Sequence, residues 1–479
     1  MAVTRIILWL GYSAVFLAAL MGASAFAALL LLDFHMAVLM SVSGLFTFMF
    51  GAIFVLIMSK TPSRETNSDA LVFLLLFWCL SPVLAATPFW LNAPEGTWLR
   101  SYFHAVSAMT STGASGYVID DLPQSLVFWQ SILQFFGGVS VATFAVVILA
   151  ALNLTGTGIH RSNLFALKKG ELFPRLVGIG RIVAGIYALI ASVCCVLMIL
   201  GGAPLFESIC LSLAGVSTGG IPPRSEDLFI YIPRFAAFVL AVSCALGAMN
   251  ISIIWDVFRV RNWRNLRRLY LSVEHRTLIS LTIIITFLGL FYAGLQNIFP
   301  IFIEAIFFIS TAGFIYDPIS IEQIPSVVLI AIALVGGSAL STAGGLKMIR
   351  IILLFKHLST DISRLSHPSR VLPVSFKRRI IPDQAFLSIW MYFFGYTLVL
   401  GAGIVGFGVI GLDFADATTV SAAALANIGP LLPATIPDSG LSWHEMTAAQ
   451  MALSSALMLV GRVEVLAVLV LITPSFWRQ

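Results

Sequence analysis

The chain reads as an all-α polytopic membrane protein: an N-terminal two-helix hairpin followed by four tandem repeats around a central pore. Three observations predict this class. Only 10% of the 479 residues are charged and 59% are hydrophobic, whereas a soluble globule carries about 25% charged residues. Apolar runs that reach the roughly 20 residues needed to cross a bilayer core recur from end to end, and a β-barrel would show short alternating segments instead. Between them lie four shorter apolar runs, each closing on a glycine about a hundred residues after the last.

Taking the elements in order, Ile6 to Leu32 carries no charge. Arg5, this run and the "ASAFA" of Ala23–Ala27 imitate a cleavable signal peptide. The run continues past that site, however, beyond the h-region length of about 7–15 residues, so it is read as an uncleaved first span. Ten spans are expected, at about 6–32, 36–59, 69–91, 125–150, 176–200, 230–256, 278–297, 325–355, 385–411 and 447–472. The first two form the hairpin (1–66). The other eight pair into repeats at 67–157, 158–262, 263–375 and 376–479. Basic residues crowd 158–181, 256–276 and 347–383 and acidic ones fill the opposite breaks, which places the basic side and both termini in the cytoplasm. The acidic outer face concentrates cations, although solvated loops are commonly charged in any case. Cys79, Cys194, Cys195, Cys210 and Cys244 lie in apolar surroundings without metal-ligand spacing and read as small core residues.

Each pair of spans encloses a run too short to cross, at 98–110, 204–217, 300–311 and 416–427. The expected unit is span, half-helix, filter loop, span. The loops begin "TSTG" (Thr110, Ser111, Thr112, Gly113), "VSTG" (Val216, Ser217, Thr218, Gly219), "STAG" (Ser310, Thr311, Ala312, Gly313) and "ANIG" (Ala426, Asn427, Ile428, Gly429). A single such stretch reads as a helix C-cap; four in register with the topology read as a designed feature. His104, Glu207, Glu304 and Asp416 precede these glycines by 9, 12, 9 and 13 residues, and 9 and 12 differ by close to one helical turn.

Non-helical backbone at membrane depth is tolerated where it lines a watery path or is buried in protein. Glycine at φ > 0 turns successive carbonyls toward one axis, and rings of carbonyls replace part of a cation's hydration shell. The C-terminal ends of the half-helices add partial negative charge. In the eighth span, "GGSALSTAGG" (Gly336–Gly345) packs four glycines and three hydroxylated residues into ten positions, a poor helix that reads as an intramembrane loop, with close helix packing the alternative. Arg462 is a charge inside the last span, functional by default, or else part of a polar cluster with Glu464.

"SAMTSTGASGYVIDDLPQSLVFWQSILQFFGG", "VSTGG", "STAGF", "GGSALSTAGGLKMIR" and "LMLVGRVEVLAVLVLITPSFWR" together resemble the Trk/Ktr/HKT superfamily of potassium transporters, nearest to the bacterial TrkH-type membrane subunit, over nearly the whole chain. The resemblance implies potassium uptake across a bacterial inner membrane by channel-like, single-file conduction. It makes the sixteen loop residues above the selectivity filter, with K+ held only there, and Gly113, Gly219, Gly313 and Gly429 the filter glycines. It makes Gly336, Gly337, Ser341, Thr342, Gly344, Gly345 and Arg462 the gate. It further implies a homodimer, a cytoplasmic nucleotide-binding (NAD/ATP) regulatory subunit of TrkA type, and contact with membrane lipids. "ANIG" departs from the family pattern by lacking a hydroxyl. A cation-coupled (H+ or Na+) symporter or a sodium-permeable pathway is the alternative, with Glu207, Glu304, Asp416 and Glu464 the carboxylates available to it. No organic cofactor, nucleic-acid surface or enzymatic nucleophile–base pair is expected in this chain.

Overall fold

The computed structural model describes residues 3–59, 67–92, 97–149, 172–260, 272–367, 375–376, 379–381, 383–435, 441–465, 467–468 and 473. Lys60, Arg64, the basic segments 158–171 and 261–271, the repeat boundaries at 66, 157 and 262, and most of the last span beyond Val463 lie outside them. The fold is all-helical apart from a two-residue ribbon pairing Ser375–Phe376 with Arg379–Ile380.

Helices α1 (Val3–Leu30) and α2 (Phe34–Met58) form the hairpin. The side chain of Asp33 in the turn accepts from Met36 N at 3.1 Å and caps α2. Glycines draw the two backbones together: a methyl on Gly51 would fall 2.7 Å from Gly11 O. α1 packs on α3 (Asn67–Ala85) and α6 (Gln124–Phe144), while α2 leaves large apolar side chains such as Phe46 and Leu56 exposed, as lipid contact allows. Pro82 lies inside α3, which is interrupted at Ala86 before the short α4 (Thr87–Asn92).

Each repeat then sends a half-helix inward: α5 (Trp98–Met109), α8 (Leu205–Val216), α12 (Ile298–Ile309) and α16 (Phe414–Ala426). Thr97 and Asp413 cap two of them through their side chains. The remaining long spans are α7 (Leu172–Leu200), α11 (Val273–Ala293) and α15 (Asp383–Val409). Among the described residues, seven helices are long and apolar enough to cross a bilayer, eight with one bent pair counted as a span.

Three spans depart from continuous rods. The eighth breaks as expected, into α13 (Ser326–Val335), the glycine-rich loop, and α14 (Met348–Ser366). The sixth, expected to be continuous over 230–256, is bent by 101° between α9 (Arg234–Ala248) and α10 (Ile251–Val260). The loop of repeat 3 stands in for the missing helical bonds: Ser338 N donates to Ala248 O, Thr342 N to Gly247 O, and Ile251 N to Leu340 O. The last span, expected over 447–472, is interrupted at Glu464, which leaves α17 (Ala448–Val463) at φ 67°; Val465, Ala467 and Val468 are again helical, and 466 and 469–472 lie outside the described residues.

Candidate ion pathway and the loop beneath it

The four half-helices end alike. Ser111 N donates to Ala108 O, Thr218 N to Gly215 O, Thr311 N to Phe308 O and Asn427 N to Ala424 O. These four donors sit at φ 46°, 52°, 58° and 55°. The next residue donates to the carbonyl one residue further back in three repeats, Thr112 to Ser107 O, Gly219 to Ala214 O and Ile428 to Ala423 O. This is a Schellman cap, so each loop opens as a helix stop and continues as irregular backbone.

The capping pattern resets the register of the second repeat. Thr218, not Ser217, matches Ser111, Thr311 and Asn427, so the residue structurally equivalent to Gly113, Gly313 and Gly429 is Gly220 rather than Gly219. The second loop is therefore "STGG", Ser217 to Gly220, and Val216 belongs to the half-helix. With Gly220 as reference, His104, Glu207, Glu304 and Asp416 precede their glycines by 9, 13, 9 and 13 residues, a difference of about one turn. The sequence alignment slipped because "STGG" offers two glycines.

Positive φ at the reference glycine occurs in two loops only, Gly113 at 92° and Gly313 at 69°. Left-handed turning in all four is done two residues earlier, by a hydroxylated residue or asparagine. Asparagine is among the residues that tolerate this region, which accounts for "ANIG". Glycine is needed at the reference position for close approach. A methyl on Gly113 would fall 2.6 Å from Gly220 Cα, one on Gly220 2.3 Å from Ala312 O, and one on Gly429 2.6 Å from Gly113 C. All sixteen predicted loop residues are buried, and the four loops converge. Gly429 N donates to Thr112 O at 2.5 Å, and Asn427 Nδ2 bridges Thr112 Oγ1 and Met458 O.

Struts behind the loops hold the returning chain. His104 Nδ1 accepts from Gly116 N at 3.2 Å. Glu304 Oε1 accepts from Tyr316 N at 2.5 Å and Asp317 N at 3.0 Å. Glu207 pairs with Arg224. These residues clamp the returning loops. Three further positions escaped notice in the sequence. Gly137, Gly247 and Gly461 make room for carbonyls at the ends of the half-helices, where a methyl would fall 1.7 Å from Met109 O, 2.2 Å from Val216 O and 2.3 Å from Leu425 O. Small residues in polar-poor spans were the only available signal.

Beneath the loops lies Gly336–Gly345, buried throughout. Gly336 and Gly345 take φ of 70° and 72° and lie against each other. Gly337 packs on Ala343, and Ser341 Oγ donates to Ser338 O at 2.6 Å. Three of the four glycine loops touch this segment directly: Thr218 Oγ1 donates to Thr342 Oγ1 at 3.0 Å, Gly344 N donates to Thr311 Oγ1 at 2.8 Å, and Gly344 packs against Ala426 O. Arg462 joins the first. Its guanidinium donates to Thr110 O, to Ser111 Oγ at 2.5 Å and to Thr342 O at 2.5 Å. Beside it Arg350 pairs with Glu464 at 2.5 Å and lies 3.7 Å over the Tyr392 ring, and Lys347 donates to Ser341 O and Ala343 O. Glu464 thus belongs to Arg350 and not to Arg462.

On the face of the loops opposite Gly336–Gly345, a cavity of about 360 Å³ is lined by Gly113, Gly220, Glu226 and Asp227, among others. Burial and the charge of Asp317 push the Asp227 carboxyl above its ordinary value.

Half-helices converging on glycine loops from four repeats, with an acidic mouth above and a cation-clasped loop below, define the class: a polytopic pore-type membrane transport protein. A sequence profile of the TrkH family, described as a cation transport protein, matches residues 40–478, and the chain belongs to that family. It is 29% identical over 431 residues to the Trk system potassium uptake protein TrkH of Escherichia coli K12, covering 88% of each chain. To the potassium uptake protein TrkG of the same strain it is 30% identical over 434 residues, covering 88% of this chain and 87% of that one. The crystal structure of the potassium transporter TrkH from Vibrio parahaemolyticus superposes with a TM-score of 0.88 at 25% identity, over the full length of both chains. These relatives are named for potassium uptake or transport.

Proposed function

We propose that the chain takes up potassium across a bacterial inner membrane by channel-like, single-file conduction, with the termini in the cytoplasm and the repeats divided as the sequence predicts. The filter is formed by Thr110–Gly113, Ser217–Gly220, Ser310–Gly313 and Ala426–Gly429. Gly336–Gly345 and Arg462 form the gate. The observation that carries this reading is the Arg462 guanidinium, which spans from the first filter loop to the gate loop on the ion path. A permeating cation must displace a fixed positive charge and the loop it holds. Assembly as a homodimer with a TrkA-type nucleotide-binding subunit would supply a means of pulling that loop aside, since the basic cytoplasmic face suits a docked partner.

The coupled alternative is disfavoured by where the carboxylates lie. Glu207, Glu304 and Glu464 are each engaged by an ion pair or by backbone donors. The test is rubidium influx into proteoliposomes holding the purified protein alone. Uptake driven by an imposed membrane potential, with no proton or sodium gradient, supports conduction. Uptake that requires either gradient overturns it in favour of symport.

A further inference from the structure

We propose that the protein carries a binding site for one acyl chain of an anionic phospholipid, on the outer side of α6 at the cytoplasmic boundary of the bilayer. A cavity of about 480 Å³ lies between α1, α3, α6 and α7, lined by Phe16, Phe77, Phe136, Thr143, Gly180 and Arg181 among others. This is within the range of about 300–1,000 Å³ usual for small-molecule sites. The lining asks for an apolar occupant. Three of its four hydroxyls are turned back onto their own helices, Ser13 to Trp9 O, Ser140 to Phe136 O and Thr143 to Val139 O; the fourth is the phenol of the exposed Tyr12.

The one charge on the wall, Arg181, is exposed and sits at a headgroup's depth. The nineteen residues that follow it in α7, Ile182–Leu200, are uncharged and rise about 28 Å at 1.5 Å each. That is close to the roughly 30 Å hydrocarbon core. The neighbouring helix gives the same depth independently. Gly180 lies against Thr143, where a methyl would sit 3.6 Å from Thr143 Cγ2, and Thr143 is nineteen residues from the outer end of α6. A guanidinium at that level, beside an aromatic-walled cavity, complements a phosphate whose acyl chain runs into the cavity. The site also has access to the pore. The opposite face of α6 carries Gly137 and Gly138, which pack on Met109 O and on Ser217 and Thr342.

The test is native mass spectrometry of the full chain in detergent, titrated with phosphatidylglycerol and with phosphatidylcholine of identical acyl chains. The wild type is expected to hold one phosphatidylglycerol per chain about five- to tenfold more tightly than phosphatidylcholine. Arg181→Gln, a surface change with no packing cost, should abolish that preference. Gly180→Phe should fill the cavity and remove the tightly held lipid of either kind. Equal binding of the two lipids by the wild type, or a preference untouched by Arg181→Gln, overturns the proposal. So does a Gly180→Phe protein that keeps its lipid, or one that changes only its oligomeric state, which would make a second copy of the chain the occupant of this face.

Discussion

Arg462→Ala is the most informative single change. The side chain is buried and makes three hydrogen bonds, of which one, to Thr342 O, reaches the gate loop. A hydrogen bond to a charged group contributes about 1.5–3 kcal/mol, and each 1.4 kcal/mol is about tenfold in an equilibrium. Removing this bond should therefore raise the open-loop population by about ten- to a hundredfold, and removing the charge lowers the barrier to cations further. Tracer flux through the variant without a regulatory partner should rise accordingly, read against monodisperse elution as the folding control. Arg462→Lys separates the two causes: it keeps the charge but cannot fork across Thr110, Ser111 and Thr342. If the fork holds the loop, Lys also opens the pore; if only the charge matters, Lys stays closed. Flux in a well-folded Arg462→Ala that is unchanged or lower would refute the clasp and leave Arg462 a structural residue.

Other consequences are open to direct measurement. Gly113→Ser places a Cβ at φ 92° and 2.6 Å from Gly220 Cα, so the potassium-to-sodium permeability ratio should fall; an unchanged ratio would remove Gly113 from the filter. Glu304→Ala leaves the amides of Tyr316 and Asp317 without their carboxylate acceptor and should cost about 1–3 kcal/mol, seen as a lower melting temperature, with Glu304→Gln recovering most of it. Arg350→Met strands Glu464 in a buried site and should destabilise by about 3–5 kcal/mol, whereas Arg350→Met with Glu464→Leu should recover much of the loss. The Asp227 carboxyl sits above its ordinary value. Acidifying the outside therefore neutralises it earlier than an ordinary aspartate, and influx should fall as it does; Asp227→Asn should flatten that part of the pH profile.

Much of the fold was legible because the bilayer imposes length on helices. The hairpin, the four half-helices and the interruption of the eighth span by Gly336–Gly345 all follow from apolar run lengths and glycine density. Two features were not legible, for physical reasons. The 101° break after Ala248 is stabilised by hydrogen bonds from a segment ninety residues away, and the local signal in "LGAMNIS" is Asn250, whose Oδ1 accepts from Ser252 N at the start of α10. The register of the second loop turns on which residue of "VSTGG" adopts the left-handed conformation. That is decided by the bonds Thr218 to Gly215 and Gly219 to Ala214, not by the spelling of the tetrapeptide. Arg462 was visible as an expensive charge in a span, but its three acceptors, two of them about 350 residues distant, were not.

The central claim is that four glycine loops make a potassium-selective path in this chain alone. Rubidium influx into liposomes containing only the purified protein, with potassium or sodium as competitor, tests it most directly. Suppression of influx by potassium, with sodium at the same concentration leaving it nearly untouched, is the predicted result. Equal suppression by the two ions would contradict it and mark the pathway as unselective.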